Sequence, residues 1–101
     1  MNNRSKEEIE IDFARAISQA QELEEIASQL SEIAQAHVEG AILMLEASWK
    51  GENAIAFEEK GKMLTSDMYE TADDLIKVAK NIRTTADIVY RAEKAAIQIC
   101  Y

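Results

Sequence analysis

Apolar and small residues in the first half of the chain recur in alternating steps of four and three. The series contains one polar member, His37, and runs Ile9, Phe13, Ala16, Ala20, Leu23, Ala27, Leu30, Ala34, His37, Ala41 and Met44. An average period of about 3.5 residues is typical of helices that pack along one seam, as in coiled coils. The pattern predicts a first helix over about residues 6–47.

The second half of the chain follows the same rule. Its series is Ala54, Phe57, Gly61, Leu64, Met68, Thr71, Leu75, Val78, Ile82, Thr85, Val89, Ala92, Ala96 and Ile99. It predicts a second helix over about residues 53–98, after a turn at residues 48–52. No stretch alternates with period two for long enough to form a strand. We therefore expect an all-α fold, a single antiparallel helical hairpin over residues 1–101.

The hairpin is expected to need a second layer. Alanines in the seam let two helix axes approach closely, but flanking apolar residues make each stripe wider than one seam requires. These are Ile17, Ile26, Ile33 and Leu45 on the first helix and Ala72, Ile76, Ala79, Ala86 and Ile88 on the second. Exposed apolar area of this extent usually indicates a partner. We expect two hairpins to form a four-helix bundle. The large residues expected to fill its seam are Phe13, Leu23, Leu30, Phe57, Leu64, Met68, Leu75, Ile82 and Val89.

The first helix has a start signal in the sequence. Ser5 and Glu8 have the spacing of a capping box, in which the serine hydroxyl accepts the backbone N–H three residues later. The residues before and around this box have no apolar core and no small-residue cleavage site, so no cleavable signal peptide is predicted. We expect a protein that is cytoplasmic at first and, if exported, uses another route.

The charge of the chain argues against two classes of partner. The net charge is −8, which would repel the phosphates of a nucleic acid. No apolar run approaches the roughly 18 residues needed to span a bilayer, so stable membrane insertion is not expected. The charge is uneven, because residues 1–48 carry three basic and ten acidic side chains. The acidic side chains of the first helix form either an ordinary solvated face or a surface that selects a less acidic partner.

The sequence offers little chemistry. His37 is the single histidine, and Ala34 stands where the Glu-x-x-His pair of a di-iron bundle would need glutamate. We expect His37 to be partly buried at the seam, and we expect no metal, no cofactor and no catalytic residue. Cys100 is the single cysteine, which excludes an intrachain disulfide.

The middle of the chain carries Trp49-Lys50-Gly51, with Phe57 shortly after. A W-x-G turn at the centre of a proline-free helical hairpin of about one hundred residues resembles the WXG family, the small early-secreted-antigen-like proteins of type VII secretion systems. The resemblance covers the whole chain. It implies that Trp49 and Gly51 form part of a surface that the secretion machinery recognises, and that a secretion ATPase is a partner.

The family often carries a second export signal, Y-x-x-x-D/E, near one C-terminus. Tyr69 and Asp73 have this spacing but lie in the middle of the second helix. Tyr90 is better placed, although Lys94 stands four residues on and Glu93 is one residue early. Tyr69, Asp73, Tyr90 and Glu93 are therefore the candidates for a second signal, and the chain departs from the family pattern at each pair.

Three functions are consistent with the sequence. The first is a non-enzymatic substrate of a type VII system, secreted without a cleavable signal as a folded homodimer. The second is a targeting partner that forms a heterodimer with a paralogue or with the helical N-terminal region of a larger secreted toxin. The third is a cytosolic scaffold with no connection to secretion.

Overall fold

The computed structural model describes residues 5–48 and 51–100. Helix α1 covers Lys6–Glu32, a π-helical segment covers Ile33–Glu39, α2 covers Gly40–Ser48 and α3 covers Glu52–Cys100. The first three follow one another without a break and make up the first arm of a helical hairpin, and α3 is the second arm. No strand occurs among these residues. The predicted all-α class and the helical hairpin are confirmed.

Ser5 caps the first helix as its sequence predicts. The backbone N–H of Glu8 donates to Ser5 Oγ at 3.2 Å, and the N–H of Ile9 donates to the Ser5 carbonyl at 3.1 Å. Glu7 and Glu8 lie in the first turn, where the helix dipole favours negative charge. Sequence and local electrostatics therefore agree on where α1 begins.

The chain forms two compact units. The terminal unit combines the first 24 residues with the stretch from Ile76 onward, and the turn unit is Glu25–Leu75. In the terminal unit, the buried positions include Ile9, Ala20 and Ala79. The two alanines are fully buried, and side chains this small at the contact allow the helix axes to lie close together.

The turn unit has the same kind of core. Its buried apolar residues are Ala27, Ala34, Ile42 and Ala72. Thr65 is also buried, and its Oγ1 donates to the Gly61 carbonyl at 2.9 Å, which satisfies the hydroxyl within α3.

The first arm changes register inside the turn unit. Beyond Ala34, the uninterrupted pattern predicts His37, Ala41 and Met44 at the packed face. The structure instead places Val38, Ile42 and Leu45 there, and His37 is exposed, so the predicted partial burial of this histidine is wrong. The reason is the π-helical segment, whose wider turn contains one more residue than an α-helical turn.

On α3 the buried residues lie one position later in the sequence than every second residue of the predicted seam. Thr65, Ala72 and Ala79 are buried, whereas their neighbours Leu64 and Val78 are exposed. The smaller side chain of each adjacent pair lies at the contact because it allows the helices to come closer. The predicted positions Met68, Leu75 and Ile82 are half-buried beside this line.

Within the described residues, no helix combines the length and the apolar composition that crossing a membrane requires.

Candidate functional site

One edge of the terminal unit is polar, and a bidentate ion pair lies on it. Arg83 Nη2 donates to Glu24 Oε1 at 2.7 Å and Arg83 Nε donates to Glu24 Oε2 at 3.0 Å. The hydrogen bonds from the guanidinium lower the pKa of the Glu24 carboxyl. Fork-to-fork geometry of this kind fixes both side chains and therefore the relative position of the two helices.

A second polar contact lies on the same edge. Tyr90 donates its hydroxyl to Glu10 Oε1 at 2.8 Å, and Lys94 Nζ donates to the same oxygen at 3.1 Å. The hydrogen bond from Tyr90, followed by that from Lys94, lowers the pKa of Glu10. The Tyr90 ring also packs on Phe13, with ring centroids 4.5 Å apart. Tyr90 thus ties α3 to α1 through both its ring and its hydroxyl.

The Glu24–Arg83 pair predicts a pH dependence of stability. Because the folded-state pKa of Glu24 is lowered, the pair stabilises the fold above the ordinary carboxyl pKa, and this contribution is lost as the pH falls. We expect Glu24→Gln to melt at a lower temperature than the unmodified chain at pH 7, with a smaller difference at pH 3. Circular dichroism melts at both pH values measure this. A difference independent of pH would contradict the prediction.

The other edge of the terminal unit is an open apolar groove of about 430 Å³. Val78 and Val89 are nearly half exposed there, at 47% and 46%. The groove-lining residues with apolar side chains are Ile9, Phe13, Ala16, Val78, Ile82, Ala86 and Val89. Arg83 follows Ala79 by four positions and Ile82 follows Ala79 by three, so the polar edge and the apolar groove lie on either side of the buried alanine. The unit therefore has two different edges, and Tyr90 belongs to both, because it lines the groove and its hydroxyl contacts Glu10.

The turn unit also has a polar edge. Tyr69 donates its hydroxyl to Glu39 Oε1 at 3.3 Å, and partial burial followed by the Glu39 charge raises the pKa of Tyr69. Nearer the turn, Lys62 pairs with Glu58 at 2.7 Å. The hydrogen bond between Glu58 and Glu46 raises the pKa of Glu46.

Large apolar side chains are also exposed on the turn unit. Met44 is 73% exposed and Leu64 is 51% exposed. The other large apolar residues exposed in this unit include Ile26, Ile33, Leu43, Ile55, Phe57 and Met63. Exposed apolar side chains in such number on one unit are typical of a surface that a partner covers.

Gly51 gives the turn its backbone geometry. Its φ of 113° is the only positive φ in the described part of the chain. Its carbonyl accepts the N–H of Ile55 at 3.2 Å, which begins α3. A side chain at this φ is strained even though a Cβ atom there would meet nothing within 4 Å. Trp49, the other predicted recognition residue, lies outside the described residues.

The candidates for a second export signal are distributed over both units. In the turn unit, Tyr69 contacts Glu39, while Asp73 is exposed one turn further along α3. In the terminal unit, Tyr90 contacts Glu10 and Glu93 lies half-buried beside the groove. Both tyrosine hydroxyls thus hold the two arms of the hairpin together, a role that sequence reasoning missed. Arg83 and Tyr90 are seven residues apart and therefore lie on the same face of α3, and this spacing was the available signal in the sequence.

No group of three or more His, Cys, Asp or Glu side chains in the described ranges is arranged to hold a metal ion. Comparison with protein-family models, with curated proteins and with solved structures finds no match to this chain.

Proposed function

We propose that the chain is a small non-enzymatic substrate of a type VII secretion system, exported as a folded dimer. The W-x-G turn forms part of the export signal in this proposal. A dimer of hairpins would make a four-helix bundle, and the secretion ATPase would recognise the turn at its end.

The observation that carries the proposal is the conformation of Gly51. The glycine of the W-x-G motif adopts a left-handed φ at the one place where the chain reverses between two long helices. Glycine is the residue that adopts this conformation without strain. The motif residue thus has a defined structural task at the position that the family resemblance implies.

The exposed apolar surfaces support the dimer. In the terminal unit they line the groove beside Val78 and Val89, and in the turn unit they include Leu64. A second hairpin that packs on these surfaces would bury side chains that one hairpin leaves in water.

An export assay in a bacterium with an active type VII system tests the function. Trp49→Ala and Gly51→Ala are each expected to reduce the secreted fraction at least about tenfold, measured by immunoblot of cells and culture supernatant. Gly40→Ala is the matched control, because Gly40 has an ordinary helical φ of −62° and a Cβ atom there meets nothing within 4 Å. Normal export of both turn variants would contradict the proposal.

The charge of the first arm favours a second candidate, the targeting partner. Residues 1–48 carry a net charge of −7, which follows from three basic and ten acidic side chains. A bundle with two such arms brings like charges together, whereas a paralogue or a toxin domain with a less acidic helix would not. Co-expression with such a partner, followed by affinity purification, distinguishes this heterodimer from a homodimer.

A further inference from the structure

The middle of helix α2, residues 41–45, has no polar side to fix its orientation. Residues 41–45 are five consecutive apolar residues, so apolar side chains point in every direction around the axis. Ile42 is buried against the rest of the turn unit, while Leu43 and Met44 are exposed. A helix that is apolar all round can be packed through more than one of its sides.

Two packing registers are available to this segment. In the observed register, here called the π register, Val38, Ile42 and Leu45 continue the packed line from Ala34. If residues 33–39 were α-helical, the same line would continue through His37, Ala41 and Met44 instead, and this arrangement is called the α register. The two sets differ by one residue, which corresponds to a rotation of about 100° about the helix axis.

Gly61 selects between the two registers. A Cβ atom at position 61 would lie 2.7 Å from Ile42 Cδ1 and 2.8 Å from Ile42 Cγ1. The Ile42 side chain therefore occupies the space that any other residue at position 61 would need. This space beside Gly61 is called the Gly61 notch. In the α register Ala41 would face the notch, and its side chain is too small to fill it, so a cavity would remain. The notch thus favours Ile42 and with it the π-helical segment.

We propose that residues 33–48 are a two-register element, held in the π register by the fit of Ile42 into the Gly61 notch. In this register Leu43 and Met44 face outward near the turn. In the α register Ile42 and Val38 leave the packed face, and the surface next to the turn changes. A partner that buries Met44 at its own interface stabilises the π register, because it binds that arrangement better. This inference does not depend on secretion.

Methyl NMR of Gly61→Ala tests the proposal. In the unmodified chain the Ile42 methyl groups are expected to show NOEs to α3, and the Met44 methyl none. Gly61→Ala closes the notch, and we expect the Met44 methyl to gain NOEs to α3 while Ile42 loses them. Gly40→Ala, in open space on the first arm, is expected to keep the original pattern. Persistence of the Ile42 contacts in a folded Gly61→Ala chain would overturn the proposal.

A deletion tests the same idea if Gly61→Ala fails to fold. Gln35 is exposed inside the π-helical segment, and its removal allows a continuous α-helix with Val38, Ile42 and Leu45 still at the packed face. We expect this variant to keep the Ile42 contacts and to melt no lower than the unmodified chain.

Deletion of Gln29, exposed in α1, is the matched control for the Gln35 deletion. It also lets the segment become α-helical, but it turns Leu30 and Ala34 away from the packed face. The melting temperature of this variant is expected to fall by about 10 °C or more. Equal losses in the two deletion variants would refute the two-register element.

Discussion

Replacing Ala79 by leucine is expected to lower the free energy of unfolding by about 1–3 kcal/mol. Ala79 is fully buried at the contact between α3 and α1. Leucine adds three carbon atoms where the helices leave no room, so the helices must move apart. The nearby Glu24–Arg83 contact would be strained by the same movement, since Arg83 lies one turn along α3. Urea denaturation at fixed protein concentration, followed by circular dichroism, measures the loss.

The control for Ala79→Leu is Lys80→Leu. Lys80 is the next residue of α3 and is exposed. Lysine, alanine and leucine are all good helix formers, so intrinsic helix propensity changes little in either variant. We expect Lys80→Leu to change the free energy of unfolding by no more than about 0.5 kcal/mol. Similar effects of the two variants would mean that the close helix contact at Ala79 does not limit stability.

The periodic apolar pattern predicts the helical hairpin but not the contact line on α3. Leu64 and Thr65 lie beside each other on the helix, and either one can face the first arm without breaking the period. The structure buries the threonine, and the larger leucine is exposed. Close packing of backbones decides between the two, and this depends on the facing side chains of the other helix. A single-helix pattern does not contain that information.

The register change in the first arm has a similar cause. The heptad rule continues through His37 and Ala41, and no proline or glycine interrupts it before Gly40. The π-helical segment follows from the long-range fit between Ile42 and Gly61, residues on different arms of the hairpin. Tertiary packing thus overrides the local period. One hint was present in the sequence, since a stretch as uniformly apolar as 41–45 does not specify which side is packed.

The backbone conformation of Gly51 was predictable from the sequence, whereas the contacts along the arms were not. Gly51 takes the special backbone conformation that its place in the W-x-G motif suggests. The contacts of Tyr69 with Glu39 and of Tyr90 with Glu10 depend on the register of two antiparallel helices. Neither helix fixes that register alone, so the sequence does not predict the structural partners of the two tyrosines.

Val78→Glu is expected to dissociate the proposed homodimer. Val78 is 47% exposed at the apolar groove of the terminal unit, where a second hairpin would cover it. A glutamate there would be buried without a cation, which typically costs several kcal/mol. We expect the dimer dissociation constant to rise at least about 100-fold, equivalent to about 2.8 kcal/mol. Size-exclusion chromatography with light scattering measures the change as a fall from twice the 11.3 kDa chain mass to that mass.

Ile76→Glu makes this experiment specific to the groove. Ile76 is 50% exposed, almost the same as Val78, but it lies seven residues before Arg83 and therefore on the polar edge of α3. The two variants add the same charge to the same helix two residues apart. If the groove is the dimer surface, Val78→Glu becomes monomeric and Ile76→Glu stays dimeric. Dissociation in both variants would place the interface elsewhere. An unmodified chain that is monomeric at micromolar concentration would rule out the homodimer. It would favour the targeting partner, in which the acidic first arm pairs with a helix of a different protein.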